Sequence, residues 1–165
     1  MSSISTLDPA FYPTPAALVT FSTSQGKTCL LPSPWMGVVW CSPPVLTLAF
    51  RHGCAVRPLL PGASRFVVNL PPDSLLDSSA LISWLMTRNP DMESAPGLTP
   101  WQDRFMEVTA IEECPVQLVC DQAVVNSRYG QDVLSGRVTA LYADKSPVSM
   151  AEPLDFGLYT LGRSQ

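Results

Sequence analysis

Short apolar segments separated by proline and glycine constrain the fold of this chain more than any other feature. The sequence has 17 prolines and 9 glycines in 165 residues. Proline interrupts long helices, because it lacks the N–H group that helical hydrogen bonding needs. The β-rich apolar segments between these breaks are Pro15–Ser22, Met36–Trp40, Val45–Phe50 and Arg65–Leu70. Strands of this length and spacing are typical of a β-sandwich or a β-barrel.

The second half of the chain predicts two longer strands, Pro115–Val125 and Val133–Ala143, around a turn at Asn126–Asp132. Gly136 inside the second strand indicates a bulge or a close backbone approach. Near the start of the chain, Ser24–Lys27 has the composition of a turn, and Leu30–Trp35 predicts a proline-rich loop. Together these segments predict a mainly β protein, an antiparallel barrel of six or seven strands.

One substantial helix is predicted from Asp73 to Thr87, with Asp73 or Ser74 as its N-cap. Apolar residues occupy most of its circumference, which indicates that the helix is covered on two sides. The second cover is interpreted as another subunit. The segment Asn89–Pro100 that follows is polar and predicts a long loop.

Size and composition place the chain among single-domain globular proteins, spanning 1–165. A hydrophobic fraction of 46% excludes disorder, and the longest apolar run is too short for a membrane span. No secretory signal is visible, and five irregularly spaced cysteines fit reduced thiols in the cytoplasm. A pI near 4.8 argues against nucleic-acid binding.

Charge is distributed unevenly. Between Pro9 and Pro72 there is no Asp or Glu, but there are four cations and the only histidine, His52. This stretch therefore carries +4 in a chain whose net charge is -4. A bound phosphate would explain the exclusion of carboxylates, since they would oppose it. Buried strands, where any charge is rare, explain it equally well.

Most familiar catalytic and metal-binding motifs are missing. The cysteines and the single histidine lack the close-paired spacing of a zinc site. One histidine without a nucleophile elbow does not support a serine hydrolase, and no phosphate-binding glycine motif is present. Glu112 and Glu113 would point to opposite faces of a strand, so they do not form an acid–base pair. No catalytic residue and no metal ligand is assigned.

The proline-rich segment Leu31–Trp35 has a second interpretation. Its prolines stiffen the chain, while the N–H groups of Ser33, Trp35 and Met36 stay available as donors. Such a rigid aromatic loop suits the edge of a planar heterocycle. A purely structural loop, with Trp35 closing one end of the barrel, is the alternative.

Several stretches, in order along nearly the whole chain, resemble the flavin reductase-like family of FMN-binding split barrels, which includes flavoredoxins. The matching stretches are Pro13–Thr20 (PTPAALVT), Gly26–Trp35 (GKTCLLPSPW), Ser42–Pro44, Phe66–Pro71 (FVVNLP), Gly97–Pro100 (GLTP), Glu113–Cys120 (ECPVQLVC), Leu134–Val138 and Tyr159–Gly162. The resemblance implies an antiparallel Greek-key split barrel and a homodimer with one FMN per subunit near the dimer interface.

The resemblance also implies which residues contact FMN. The flavin contacts would come from Leu31, Pro32, Ser33, Pro34, Trp35 and Met36. The phosphate contacts would come from Arg51, His52 and Arg57, which belong to the stretch without carboxylates. Two departures bear on affinity, because the family's usual Asn is Cys29 here and its usual Thr is Val56.

The function implied by the resemblance is that of an NAD(P)H-dependent flavin oxidoreductase, in which a nicotinamide transfers hydride to the flavin. Its partners would be NAD(P)H and flavin, with a redox partner protein as a further possibility. One alternative is a non-catalytic, flavoredoxin-like electron carrier that binds FMN. Another is a split-barrel interaction module that has lost its cofactor.

Overall fold

The computed structural model describes residues 16–33, 35–39, 43–50, 59, 65–87, 89–104, 106–128 and 131–148. Most of these residues lie in β-strands, and two short helices follow the fifth strand, so the predicted mainly β class is confirmed. The strands are β1 Ala17–Ser22, β2 Thr28–Ser33, β3 Trp35–Val39, β4 Val45–Ala49, β5 Phe66–Leu70, β6 Pro100–Trp101, β7 Ala110–Ile111, β8 Val116–Arg128, β9 Gln131–Ala143 and β10 Ser146–Val148. The helices are α1 Asp73–Leu76 and α2 Ser79–Met86.

Seven strands form one antiparallel path, in the order β2-β1-β5-β8-β9-β4-β3, and β10 also pairs with β9. The two ends of this path, β2 and β3, are consecutive in the chain and are separated only by residue 34. Two peptide units reach roughly 7 Å at most. The opposite edges of the sheet must therefore meet at this point, which we call the corner, and the sheet curls into a half-barrel.

Ser33 fastens the corner. Its buried hydroxyl oxygen lies 2.8 Å from the backbone oxygen of Trp35 and 2.8 Å from that of Ala49. One hydroxyl proton is shared between the two acceptors. The last residue of β2 is thereby bonded to β3 and β4 at the far edge of the sheet.

The predicted loop at Leu30–Trp35 is wrong, because Thr28–Ser33 is a strand paired with β1. Proline is tolerated there because β2 is an edge strand. The Leu30 N–H faces away from β1 and donates to the Pro90 oxygen at 2.7 Å. By the alternation of a strand, the missing N–H of Pro32 falls on the same outward side, where no ladder bond is lost.

Three apolar clusters fill the protein. The main core lies inside the curl and contains large side chains such as Phe21, Phe66 and Leu134. A second cluster, which includes Leu18 and Leu30, packs on the outer side of β1 and β2 against residues of α1 and α2. A third lies under β6 and β7. The outer side of β1, β2 and β5 is therefore covered.

The helical region differs from its prediction. One helix over Asp73–Thr87 is replaced by two, because Ser78 adopts an extended conformation and caps α2 by accepting from the Leu81 N–H at 3.3 Å. Neither Asp73 nor Ser74 acts as the N-cap, since Pro72 occupies that position of α1. Only Leu81 is buried in α2, whereas Ile82 and Met86 are exposed.

The loop predicted at Asn89–Pro100 is more ordered than its polar composition indicates. A 3₁₀ turn forms at Met92–Ser94, with the Asp91 carboxylate accepting from the Glu93 N–H at 3.2 Å. Met92 and Ala95 are buried in the second cluster. The segment is therefore a structural wall beside β2.

The hairpin β8–β9 extends further than predicted, because its strands continue to Arg128 and resume at Gln131. Its ladder shifts register twice. The predicted close approach at Gly136 is confirmed, since a Cβ placed there would lie 2.4 Å from a ring carbon of Phe66 and 3.1 Å from the Asp121 oxygen. Glycine lets the two strands and the Phe66 ring share this space.

Candidate functional site

The residues predicted to contact flavin lie on both sides of the corner. Leu31 and Ser33 face the main core and are buried, whereas Pro32 and Met36 are half-buried. Trp35 is 46% exposed and lies opposite Ala49 of β4. Of the described residues predicted to touch the flavin ring, Trp35 alone offers a large side chain to solvent.

The predicted backbone donors differ in direction. By the alternation of β2, the Ser33 N–H points toward β1, so that donor is directed into the sheet. The predicted contacts of Pro34, Arg51, His52 and Arg57 lie outside the described residues. The flavin contacts of the described members therefore stay predictions.

A cavity of about 350 Å³ lies at the opposite end of β2 from the corner. Its size is in the range of small-molecule sites in proteins. Polar side chains from the β1–β2 turn, together with one residue before β5 and two beside the 3₁₀ turn, form its wall. The lining residues are Thr23, Ser24, Gln25, Lys27, Thr28, Cys29, Leu59, Pro90 and Asp91.

Backbone hydrogen bonds fix the cavity wall on two sides. The turn predicted at Ser24–Lys27 is confirmed, with the Thr23 N–H donating to the Lys27 oxygen at 2.8 Å and Gly26 at a φ of 78°. On the other side, Cys29 forms an isolated bridge with Asp91. β2 therefore connects the two sides of the wall, the turn at Ser24–Lys27 and the segment that contains Asp91.

The electrostatics of the cavity are mixed. Lys27 supplies a cation and Asp91 a carboxylate, and in the part of the chain that the structure describes these two do not pair with each other. Burial raises the pKa of the Cys29 thiol, Asp91 raises it further, and Lys27 opposes the shift. Cys29 therefore stays protonated at neutral pH and is a neutral, weakly polar part of the wall.

The corner and the cavity are joined by one stretch of chain. Phe50 follows Ala49 of β4 at the corner, and its N–H donates to the Asp132 oxygen at 3.2 Å. Leu59 lines the cavity at the other end of β2. The sequence 51–58, which carries all three predicted phosphate ligands, lies between these two points in the chain.

A second surface lies on the outer side of β3, β4 and the distal half of the β8–β9 hairpin. Its register places Trp35, Ala49 and Val133 in one row, and Gly37, Thr47, Ser135 and Val124 in another. Trp35 is 46% exposed and Val124 53% exposed. We call this largely apolar surface the outer face. No cluster among the described residues covers it.

A bidentate ion pair borders the outer face. Arg137 donates to both carboxylate oxygens of Asp121, at 3.0 and 2.9 Å. These hydrogen bonds hold the pKa of the Asp121 carboxyl below its usual range. The pair lies next to the register shift of the hairpin and fixes the two strands relative to each other.

The sequence singles out Leu31–Met36 as candidate flavin contacts but predicts a loop there, and it gives no indication of the cavity. The turn at Ser24–Lys27 was predicted only as a turn, and Asp91 lies in a segment predicted as a loop. These residues meet because β2 pairs with residues more than 60 positions away. No local pattern in the sequence carries that pairing.

Among the described residues, no three His, Cys, Asp or Glu side chains lie close enough to hold a metal ion. Within the same part of the chain, no helix is long and apolar enough to cross a membrane.

Comparison with known proteins gives a family and a fold. A family model described as the flavin reductase like domain matches residues 10–157. Among curated proteins, none matches the sequence.

Solved structures share the architecture at low sequence identity. An FMN-binding protein from Thermus thermophilus with bound p-hydroxybenzaldehyde is 22% identical, with a TM-score of 0.67, over 88% of this chain and 83% of that one. Flavoredoxin of Desulfovibrio vulgaris (Miyazaki F) is 18% identical, with a TM-score of 0.62, over 88% and 77%. The styrene monooxygenase flavin reductase from Pseudomonas putida S12 is 16% identical, with a TM-score of 0.61, over 88% and 96%. These likenesses establish the split-barrel fold.

Proposed function

Because the chain belongs to the flavin reductase-like domain family, we propose that it binds FMN and accepts hydride from NADH or NADPH. The observation that carries the proposal is the arrangement around β2. An exposed tryptophan at one end and a 350 Å³ cavity at the other are connected by the sequence that holds Arg51, His52 and Arg57. An elongated ligand with an aromatic ring and an anionic group matches such an arrangement.

The residues present fit a flavin at this place. Trp35 offers an aromatic surface for the planar ring. Leu31 and Met36 belong to the apolar packing of the main core. The cations of 51–58 supply charge for a phosphate. One departure remains inside the cavity wall, because the protonated Cys29 thiol is a weaker hydrogen-bonding group than the amide of the family's usual Asn.

The bound flavin would supply the two-electron chemistry, and the chain would supply position and shielding. No acid or base is assigned, since hydride transfer to a flavin needs none from the protein. Trp35 would orient the ring, and the buried Ser33 hydroxyl, already engaged within the corner, would hold Trp35 in place. A nicotinamide would approach the uncovered face of the ring.

We also propose that the protein is a homodimer joined through the outer face. Exposed apolar side chains on a regular sheet surface are typical of interaction sites. The outer face includes Trp35, so a second copy seated there would approach the ring of a flavin held at the corner. Free thiols at Cys29, Cys114 and Cys120 support the cytoplasmic location that the sequence predicts.

Two other functions use the same fold. A non-catalytic electron carrier would bind FMN but would not react with a nicotinamide. A cofactor-free interaction module would bind no flavin, and Cys29 is the observation that favours it.

Titration of the purified protein with FMN, followed through flavin fluorescence and visible absorption, tests the proposal. We expect saturable binding, and a loss of roughly tenfold in affinity for Trp35→Ala, because aromatic stacking of this kind contributes about 1–3 kcal/mol. Trp84→Phe is the matched control, since Trp84 packs in the second cluster and its ring N–H bonds Ser94.

The reaction with NADH and NADPH separates the functions. Rapid bleaching of the bound flavin by either nucleotide supports the reductase. A flavin-loaded protein that neither nucleotide reduces is the electron carrier, and a protein that binds no flavin is the cofactor-free module.

A further inference from the structure

The third cluster contains a tyrosine that is buried next to a proton acceptor. Tyr142 of β9 is only 4% exposed, and its hydroxyl donates to Oδ2 of Asp103 at 3.3 Å. Burial, the charge of Asp103 and this hydrogen bond raise the pKa of the Tyr142 phenol. The phenol therefore keeps its proton at neutral pH and holds it against a carboxylate.

Asp103 is oriented by the turn in which it lies. Its Oδ1 accepts from the Arg104 N–H at 2.6 Å, and its backbone oxygen accepts from the Met106 N–H at 2.9 Å. Gln102 closes the same turn, since its side-chain amide donates to the Met106 oxygen at 2.6 Å. Oδ2 thereby faces the Tyr142 hydroxyl, and the half-buried carboxylate remains within reach of water.

An indole ring connects Tyr142 to the surface. Trp101 of β6 is half-buried, and its ring meets the Tyr142 ring edge-on, with centroids 5.6 Å apart and an interplanar angle of 78°. An edge-to-face pair by itself is ordinary packing in an apolar core. Here the outer ring is oxidisable and reached by solvent, and the inner ring is oxidisable, buried and bonded to a base.

Oxidation of a buried phenol requires a place for its proton. Removal of one electron leaves a phenol radical cation, and a positive charge inside an apolar cluster is costly. Transfer of the phenolic proton to a neighbouring carboxylate removes that charge, because the products are a neutral tyrosyl radical and a neutral carboxylic acid. Asp103 is placed to receive this proton from Tyr142.

We propose that Trp101 and Tyr142 form a one-electron relay, with Asp103 as its proton acceptor. A small inorganic radical in solution takes one electron from Trp101 and becomes its anion. Tyr142 then passes one electron to the Trp101 ring and its phenolic proton to Asp103. The net change is reduction of the solution radical, oxidation of Tyr142 to the neutral tyrosyl radical and protonation of Asp103. The relay moves an oxidising equivalent from the surface to a buried tyrosine, and it does not depend on the proposed function.

Pulse radiolysis with the azide radical tests the relay, because this radical oxidises tryptophan in preference to tyrosine at neutral pH. We expect the indole radical absorption to decay while the tyrosyl absorption rises, at a rate independent of protein concentration. Trp101→Phe and Tyr142→Phe each keep an aromatic ring at the contact and remove one oxidisable group, so each should abolish this step. Trp84→Phe is the matched control, since Trp84 is also half-buried but packs in the second cluster.

Asp103→Asn separates a proton acceptor from a hydrogen-bond acceptor. The amide oxygen of Asn accepts from the Tyr142 hydroxyl, so the ring contact should persist, but a neutral amide takes up no proton at neutral pH. Tyrosyl formation should be slower by about tenfold or more, because a positioned proton acceptor contributes roughly 10²–10⁴-fold to a proton transfer. Glu107→Gln is the control, since it removes an exposed carboxylate of the same segment that pairs with Arg65.

Each outcome decides one part of the relay. In the unmodified protein, tyrosyl formation that speeds up with protein concentration would overturn the intramolecular step without recourse to any variant. An unchanged step in Tyr142→Phe would overturn the relay, and an unchanged step in Trp101→Phe would overturn the role of Trp101. Equal rates in Asp103→Asn and Glu107→Gln would overturn the role of Asp103.

Discussion

Burial raises the pKa of the three cysteine thiols among the described residues. The stability of the fold therefore depends on pH in the alkaline range. Burial, and secondarily Glu113, raise the pKa of Cys114 to about 12 from an ordinary value of 9.0. Below the ordinary value the thiol is protonated in both the folded and the unfolded state. Above it, only the unfolded chain releases the proton, so the free energy of unfolding falls as pH rises toward 12.

Replacing Cys114 with Ala should therefore change the pH dependence of stability. Between pH 9 and pH 12 the fall in unfolding free energy should be shallower by up to about 1.4 kcal/mol per pH unit. Urea denaturation at several pH values in this range measures the slope. Val108→Ala, another buried truncation, should leave the slope unchanged, and an equal change in both variants would contradict the assignment to the thiol.

Single residues were predictable where the signal is local. Gly136, a glycine inside a strand, predicts a bulge or a close backbone approach, and an added Cβ there would meet the Phe66 ring. Asp91 carries no comparable signal. Asp91 lies in the cavity wall because its backbone forms a bridge with Cys29, a tertiary pairing that neither residue type predicts.

At the scale of secondary structure, most strands agree with prediction and most boundaries of other elements do not. Alternating or continuous apolar residues located β1, β4 and β5, because burial in the main core requires them. The β2 strand was missed because proline usually opposes a ladder, and its permitted place at a sheet edge depends on the strand order. The helix was predicted as continuous because Ser78 resembles an interior residue until its capping bond is seen.

The β8–β9 hairpin provides a test at this scale. Gly136→Ala places a methyl group against the Phe66 ring and the Asp121 oxygen, so we expect a loss of about 1–3 kcal/mol in unfolding free energy. Gly37→Ala is the matched control, because the nearest atom to its added Cβ is 4.0 Å away. Its effect on unfolding should stay within about 0.5 kcal/mol. Equal effects in chemical denaturation would show that the close approach does not limit this position.

At the scale of the whole molecule, the family resemblance predicted the split barrel, and local patterns alone predicted only a mainly β barrel. The strand order is not readable from composition, since it depends on which apolar faces meet. The cavity has the same origin, because its wall joins three segments that are distant in sequence. The residues of the corner are consecutive in the chain, so a sequence pattern can single them out, but the meeting of the two sheet edges depends on the strand order.

The proposed dimer is tested by charge placed on the outer face. Val124→Glu puts a carboxylate on the β8 side of that face, where Val124 is 53% exposed. Burying this charge against a second copy would be costly, so the protein should become monomeric at micromolar concentration. Val148→Glu is the control, since Val148 is exposed on β10, which is not part of the outer face. Sedimentation equilibrium measures both. A dimer that survives Val124→Glu would contradict the proposed interface.

The corner also bears on how the chain avoids misfolding. Neighbouring strands usually pair as hairpins, and such a turn needs at least two residues. Only residue 34 separates β2 from β3, so these strands cannot fold back on each other. A β2–β3 hairpin is therefore sterically impossible, and each strand must pair with a strand elsewhere in the sequence. The short connection excludes this competing topology before any tertiary contact has formed.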